Sequence, residues 1–581
     1  MLERFLHSRF AIADSIPALF LLLILMVLWR YPLLCDYSFR SIAGLIARVS
    51  GRPAPTLLFV ALLPIIIRLS LLPINPIPAP GVHDEFSYLL ASDTFAKGRL
   101  TNPTHPMWAF LETIHVNQFP TYMSKYPPAQ GAVLAIGQIL GNPWFGVLMS
   151  VSAMCAAIFW MLCAWVPRRW AFLGAMFVVL RFGLFSYWIN SYWGGAVPAI
   201  GGALVMGALP RLMRRRRVFH LGLLLGIGVA ILANSRPFEG LVFCLATALS
   251  FLFVRSLRNR TPWKWWRGAV RGAWPIVGIT LVLTVCFVGY YNFRLTGNSL
   301  LLPYVANDRV YSAAPHFIWQ SSLPVRHSNN PQIEGLYLLE RSYWENNRLN
   351  SIKHFLGHLG LVSTKFSYFF LWPQFLIPFV SAILFLPEDS KLRFLVFQFA
   401  LCFVGMVAVL WSQPHYAAPL TGTVVLIIVQ ALRHTRHLNY RGRPAGLGLV
   451  RVFVTFSLLM TLVYVAEAAT NPNLNSFVAP AGVWGTEGNR FRANILYRLR
   501  GLPGKHLVIV RYSSGTTPTG EWVYNDARID DAKVVWAREI PGVDLSPLLS
   551  YFRERQVWLV EAGTYPPSFS EYSHRDVGDK H

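Results

Sequence analysis

Apolar runs long enough to cross a bilayer follow one another along most of this chain, and a polar, aromatic, Pro-punctuated stretch from Gly81 to Gln130 breaks the series near its start. A hydrocarbon core of about 30 Å needs about 20 residues of helix. Such runs lie near 14–34, 56–77, 144–166, 170–189, 196–213, 218–235, 238–256, 273–291, 371–387, 394–412, 417–433 and 448–468, about twelve in all. Ala129 to Gly141 is apolar but too short to span. Pro127-Pro128 open it and Gly141-Asn142-Pro143 close it, which predicts a helix in or dipping into the interface. Phe355 to Phe370 reads similarly, and 36–53 has the alternative of an interfacial amphipathic helix. After Glu467 the pattern changes in kind. Lys505 to Tyr512, Ala532 to Ala537 and Gln556 to Glu561 read as strands, and Leu545 to Arg555 as a short helix. The predicted fold is a polytopic α-helical membrane protein with about twelve transmembrane helices and a small C-terminal α/β extramembrane domain. Residues 1–468 form the membrane part, with loops 78–128 and 292–370, and residues 469–581 form the domain.

Composition agrees: of 581 residues, 54% are hydrophobic and 14% charged, where soluble domains carry about a quarter charged residues. The net charge of +25 needs no nucleic acid to explain it, because the basic residues fall in short loops on one side. Arg168-Arg169, Arg214 to Arg217, the cluster Arg255, Arg258, Arg260, Lys264 and Arg267, the pair Lys391 and Arg393, and the set Arg433, Arg436, Arg441 and Arg443 alternate with nearly base-free turns at SYWGG (191–195) and SQPHYAAP (412–419). The positive-inside rule places those clusters in the cytoplasm. Gly81–Gln130, the loop 292–370 and the tail then face the periplasm or cell exterior, and the protein sits as a multi-pass protein in the inner (cytoplasmic) membrane. The first helix runs outside to inside. Six cysteines lie in or beside apolar segments with no CxxC, so neither a disulfide framework nor a thiolate metal site is expected. No small-residue cleavage site follows the run Ile16 to Leu28, which reads as a retained helix.

The outward segments hold the candidate chemistry. Asp84 and Glu85 stand just past a membrane-length run, where a carboxylate pair is costly to keep near hydrocarbon. Either they cap the helical EFSYLLASDTFAKG, or a carboxylate there takes a proton from an acceptor hydroxyl. Lys125, in SKYPPAQ, is a compact cation suited to a phosphate or phosphodiester; snorkelling to headgroups is its bland alternative. Arg236, in ANSRPFEG, is the basic residue of an outward turn, with Glu239 as a possible ion partner. His415 and Tyr416 lie on SQPHYAAP and suit a sugar or phosphate, or a helix cap. Trp188, Tyr192 and Trp193 are belt aromatics or a stacking surface for sugar rings. Arg294 opens the second long loop as a further anion contact. His83, His105 and His115 share the first loop with the two acids. A divalent metal is conceivable there, but no HxH or HxxxH spacing exists and no metal ligand is assigned. The tail shows no phosphate loop or metal-ligand spacing, and reads as a structural or partner-docking cap.

The outward Asp-Glu after a membrane helix, the loop closed by Lys125 and the Pro pair 127–128, the short apolar segment and then a helix ending in paired Arg resemble the GT-C superfamily of integral-membrane glycosyltransferases. The likeness is to the branch of protein O-mannosyltransferases and lipid A aminoarabinose transferases. NSYWGGAVPAIGGAL and ANSRPFEGL look like a bacterial subgroup, and HYAAP like the family's late outward turn. The resemblance covers residues 56–260 best and 290–435 less well; the tail from about 470 lies outside it. The extra first helix and Tyr126, between Lys125 and the prolines, depart from the pattern. The resemblance implies a GT-C-like fold and a polyprenyl-phosphate sugar as donor. It implies Asp84 as base with Glu85 its neighbour, Lys125 at the lipid phosphate, and Arg236 as a looser match to a cation at the equivalent turn; Tyr126, beside Lys125, is expected to contact the substrate.

The reaction expected is inverting displacement at the anomeric carbon, with a polyprenyl phosphate leaving group stabilised by Lys125 and by Arg236 or Arg294. It needs no nucleotide or other cofactor. The partners expected are a polyprenyl-phosphate-linked sugar, a glycan, lipid or protein acceptor, and membrane lipid. Two competing classes stand beside this enzyme. A lipid-linked-sugar transporter or flippase would show internal repeats and mid-helix charges, which the chain lacks. A non-catalytic anchor for the C-terminal domain would bind no lipid-phosphate sugar.

Overall fold

The computed structural model describes residues 36–572 except 185, 215–217, 257–262, 325–329, 372–373, 471–487, 514–515 and 517–519, together with 23, 26, 27, 30 and 31. The expected first span, 14–34, lies mostly outside the described residues. Among those described, nine helices are long and apolar enough to cross a bilayer: Pro53–Ser70, Pro143–Trp165, Ala196–Met213, Val218–Ser235, Pro237–Val254, Gly272–Thr296, Ser390–Ala408, Pro414–Thr435 and Ala445–Leu462. The chain is a multi-pass helical membrane protein. Pro414–Thr435 is its axis, with 94% of its apolar window buried, whereas Gly272–Thr296 is only 11% buried and runs along the rim. Trp144, Val151, Met154, Ala199, Leu426 and Val429 are among the residues filling the space between these helices.

Three expected spans differ. The run 56–77 stops being helical at Ser70, because buried Arg68 turns back and donates to the carbonyls of Asn75 at 2.7 Å and Pro76 at 3.0 Å. The run 170–189 yields only the 15-residue helix Arg168–Phe182. Beyond it the Ser186 hydroxyl donates to the Phe182 carbonyl at 2.7 Å, and the Asn190 amide donates to the Leu184 carbonyl at 3.2 Å. Those side chains satisfy the backbone outside a helix, so the apolar residues there serve a buried irregular turn. The run 371–387 is not a straight span. Ile352–Leu371 and Leu376–Phe385 meet at 109°. The helix Asp36–Val49 buries none of its residues, which suits the amphipathic alternative for 36–53. The short run after Pro127 is the 12-residue helix Pro128–Ile139.

The first long loop folds as the helix His83–Ala96 and a three-stranded antiparallel sheet, with Thr121–Ser124 between Asn102–Pro103 and Val116–Asn117. The second carries the helices Pro303–Tyr311 and Pro331–Asn347. The C-terminal region is α/β, and its three expected strands are present as His506–Arg511, Val534–Arg538 and Gln556–Glu561. His506–Arg511 pairs in parallel with both others, and a fourth strand, Ser568–Glu571, pairs antiparallel with Gln556–Glu561. Side chains alternate across such a sheet. Val508 and Val510 pack with Leu499 and Trp522 on one face, while Leu507 and Ile509 share a core with Leu90, Phe110, Leu111 and Tyr122 of the first loop. The tail is therefore seated on Gly81–Gln130. The chains approach closely where Asn489 N–H donates to the Pro80 carbonyl at 3.1 Å; a Cβ on Gly81 would lie 2.5 Å from Gly488 Cα.

Candidate active site

Two acids share the first turn of His83–Ala96 and have different surroundings. The Glu85 carboxylate accepts backbone N–H groups from Gly81 at 2.9 Å and Val82 at 3.0 Å through one oxygen, and from Tyr192 at 3.0 Å through the other. It caps the helix and ties the SYWGG turn to it. That turn fits because Gly195 has no Cβ, which would meet Trp188 at 2.1 Å. The Gln130 amide donates to the Tyr192 carbonyl from the other side at 3.1 Å. Both Glu85 oxygens are engaged by backbone N–H groups, which is the capping arrangement.

Asp84 faces the other way. His115 Nδ1 lies 3.1 Å from Asp84 Oδ1, and His83 Nε2 lies 3.6 Å from Oδ2. The Tyr126 hydroxyl donates to Asp84 Oδ1 and sits 2.9 Å from His115 Nδ1. The rings of His83 and His115 meet edge to face at 4.4 Å. His115 holds φ 62°, a left-handed conformation uncommon outside glycine. Its carbonyl is fixed by the Ser87 hydroxyl at 2.7 Å and the Lys125 N–H at 3.2 Å. Burial, helped by Lys125 and His83, pushes the His115 pKa down to about 3, and burial lowers His83 as well. The imidazoles are neutral near pH 7. Burial opposes ionisation of Asp84, yet His83 and His115, protonated in the acid range where Asp84 titrates, and Lys125 hold its carboxyl well below the usual carboxylate range.

Lys125 Nζ lies 3.8 Å from Asp308 Oδ1, and the other oxygen of Asp308 is 2.7 Å from His316 Nε2. Burial raises the carboxyl of Glu340, on Pro331–Asn347, to about 7; Asp308 and Asp84 add to the rise and Lys125 opposes it. Asp308, His316 and Glu340 belong to the second loop and are functional candidates that the sequence reading missed. Nothing in their local pattern separates them from solvated loop residues.

On the bundle side Tyr126 stacks on Tyr88 at 4.5 Å. The Tyr88 hydroxyl is raised by burial, and it feels the charges of Arg236, Asp84 and Glu239. Arg236 lies 4.4 Å over the Tyr416 ring. Tyr187 Oη is 2.8 Å from His415 Nδ1, and Trp193 packs on His415 at 5.0 Å. The structure thus gathers Asp84, Lys125, Tyr126, Arg236, His415, Tyr416 and Trp193 from four segments at the end of the bundle that carries the tail. Two candidates do not join them. Arg294 is exposed and donates to the Tyr290 hydroxyl at 3.0 Å. His105 contacts Asp530 of the tail at 3.1 Å and accepts the Met107 N–H at 3.0 Å.

The tail reaches this site. Tyr524 stacks on Phe86 at 4.0 Å, and Arg492 lies 4.7 Å over the same ring. The Asp93 carboxylate accepts the Ala527 N–H at 2.7 Å. Arg538, fully buried, donates to Glu521 at 2.6 Å within the tail, to the Glu112 carbonyl of the first loop at 2.8 Å and to Asn330 of the second at 2.9 Å.

No protein-family model matches the chain, and no curated protein matches it. Among solved structures it is similar to the Archaeoglobus fulgidus oligosaccharyltransferase in complex with zinc and sulfate, at 12% identity and a TM-score of 0.46, over 87% of this chain and 67% of that one. It is also similar to ArnT from Cupriavidus metallidurans, at 12% identity and a TM-score of 0.47 for the apo state, over 86% of this chain and 92% of that one. The same protein bound to undecaprenyl phosphate gives 13% identity and the same TM-score of 0.47. These likenesses are too distant for either protein's function to carry over.

Proposed function

We propose that this protein is a membrane glycosyltransferase that moves a sugar from a polyprenyl-phosphate donor to an acceptor hydroxyl on the outer face of the cytoplasmic membrane. The observation that supports it most is the convergence of Asp84, Lys125 and Arg236, one carboxylate and two cations, at one end of an apolar bundle. The acceptor oxygen bonds to the anomeric carbon as the bond from that carbon to the phosphate oxygen breaks, and the configuration inverts. Asp84 takes the hydroxyl proton. Its depressed pKa makes it a weak base, so the proton moves late, when the forming bond has made the hydroxyl acidic. Lys125 and Arg236 stabilise the departing phosphate. Tyr126 and His115 aim the Asp84 carboxylate, while Trp193, His415 and Tyr416 line the sugar's path. The acceptor is a glycan, a lipid or a protein. The test is release of polyprenyl phosphate when the purified full-length chain is given a panel of polyprenyl-phosphate sugars with cell-envelope acceptors. Release is expected for one sugar with an acceptor present; no release across the panel overturns the reading.

The grouping of His83, Asp84 and His115 favours a second reading of the same centre. One ligand atom from each lies within 4.8 Å of the others. Ligands across an ion with bonds of about 2.0–2.4 Å stand about 4–5 Å apart. The donor set fits a divalent cation: the imidazoles are held neutral, the state that coordinates, and His83 Nδ1 is buried without a hydrogen-bond partner. When bound, the cation would supply Lewis-acid stabilisation of the leaving phosphate, and Asp84 would serve as its ligand. Calorimetric titration of zinc or manganese into EDTA-treated full-length protein is expected to show one ion per chain, absent in His83→Ala/His115→Ala. No binding by the wild type returns the centre to proton transfer alone.

A further inference from the structure

Arg294 has a place away from the Asp84 centre. It lines an open groove of about 620 Å³, together with Arg99, Thr101, Pro103, Thr121 and Tyr290. No acidic residue lines this groove. Arg99 and Arg294 are both exposed, and no side-chain hydrogen bond or ion pair occupies Arg99 among the described residues. The groove wall is rigid where it matters. The Thr121 hydroxyl donates to the Leu295 carbonyl at 2.9 Å, tying the loop to the helix end, and the Asn102 amide donates to the Tyr122 carbonyl at 3.2 Å within the loop sheet.

The groove continues an apolar stripe. Ile279, Leu283, Phe287, Tyr290 and Arg294 follow at helical spacing along one face of Gly272–Thr296. Ile279 and Leu283 are 62% and 64% exposed, and Phe287 and Tyr290 43% and 51%. This is the least buried of the nine spanning helices. From Ile279 to Arg294 the helix rises about 22 Å, more than the roughly 15 Å of one leaflet's hydrocarbon. A lipid lying along the stripe has its chains against Ile279, Leu283 and Phe287. Its phosphate then reaches the groove that Arg99 and Arg294 both line, and the planar donors of guanidiniums match a phosphate.

We propose that this groove is a binding site for the headgroup phosphate of an anionic phospholipid, held by Arg99 and Arg294 and separate from the Asp84 centre. Two uncompensated cations select a lipid of net negative charge over a zwitterionic one. The site is independent of the reaction proposed above.

The test uses the full-length chain purified in micelles containing equal palmitoyl-oleoyl phosphatidylglycerol and phosphatidylcholine. Retained lipid is counted by native mass spectrometry. The wild type is expected to retain phosphatidylglycerol about tenfold over phosphatidylcholine. Arg99→Gln/Arg294→Gln is expected to lose that preference, and Arg99→Lys/Arg294→Lys to keep most of it. Both positions are exposed, so the variants are expected to unfold at the wild-type temperature, which a melting curve checks. Equal retention of the two lipids by the wild type overturns the site, as does an unchanged preference in the glutamine variant. Displacement of phosphatidylglycerol by excess inorganic phosphate also overturns it, by showing a site for the free anion with no use for the apolar stripe.

Discussion

Asp84→Asn is expected to leave the chain folded and to slow sugar transfer by about 10²–10⁴-fold, the range for loss of a positioned general base. The amide keeps the size of the carboxylate and can still accept from Tyr126 and His115, so the turn that holds them should persist. It has no site for the acceptor's proton. No neighbour replaces it readily: Glu85 is engaged by three backbone N–H groups, and Asp308 is paired with Lys125 and His316. The measurement is the rate of polyprenyl phosphate release, with thermal unfolding of the variant as the folding control. A drop of less than tenfold in a folded variant removes Asp84 from the reaction. The pH profile adds a second check. A base works ionised, so the rate falls as pH drops through its pKa. The Asp84 carboxyl lies below the usual range, so the wild type should stay active as pH falls through 7 and 5. An acid limb near 7 would point instead to Glu340, whose carboxyl is raised to about 7.

Arg538→Met is expected to loosen the tail from both long loops and to destabilise their assembly by about 3–5 kcal/mol, the cost of removing one partner of a buried ion pair. The side chains of Arg538 and Glu521 are each 1% exposed, so the variant leaves an unpaired carboxylate in the interior. It also removes the donors to Glu112 and Asn330, through which the tail touches both loops. Hydrogen exchange of the full-length chain is the direct measurement. Amides of Val534–Arg538, of Val116–Asn117 and of Pro331–Asn347 should exchange faster together. Acceleration confined to the tail would show that the loops do not depend on this arginine. Adding Glu521→Leu should recover part of the loss, because the stranded charge is then gone.

Both predictions rest on features with unequal visibility in the chain. Asp84, Lys125, Arg236 and His415 stand out as polar residues beside apolar runs, where their cost asks for a reason. Asp308, His316 and Glu340 lie in a loop already rich in polar residues, so nothing local distinguishes them. The histidines show the same limit: His83 and His115 are far apart in sequence and match no ligand spacing, yet their rings meet at 4.4 Å. Glu85 and Arg294 are the converse. Each looks chemical from its neighbours along the chain, and three-dimensional contacts give one to a cap and the other to a separate groove.

The alternation of apolar and polar residues is a short-range property, read within one helix or strand. It was therefore enough to specify the spanning helices and the three principal strands of the tail. Where a run ends depends on what meets it. Arg68 turning back on Asn75 and Pro76, and Ser186 and Asn190 feeding the backbone beyond Phe182, shorten two runs whose composition alone would have carried on. The joining of two loops and a tail around Asp84 depends on contacts between residues hundreds of positions apart. Hydrophobic patterning says that such segments must be covered and not by what; the buried bonds of Arg538, Asp93 and Glu85 decide it, because each satisfies a polar group that only the folded chain brings within reach.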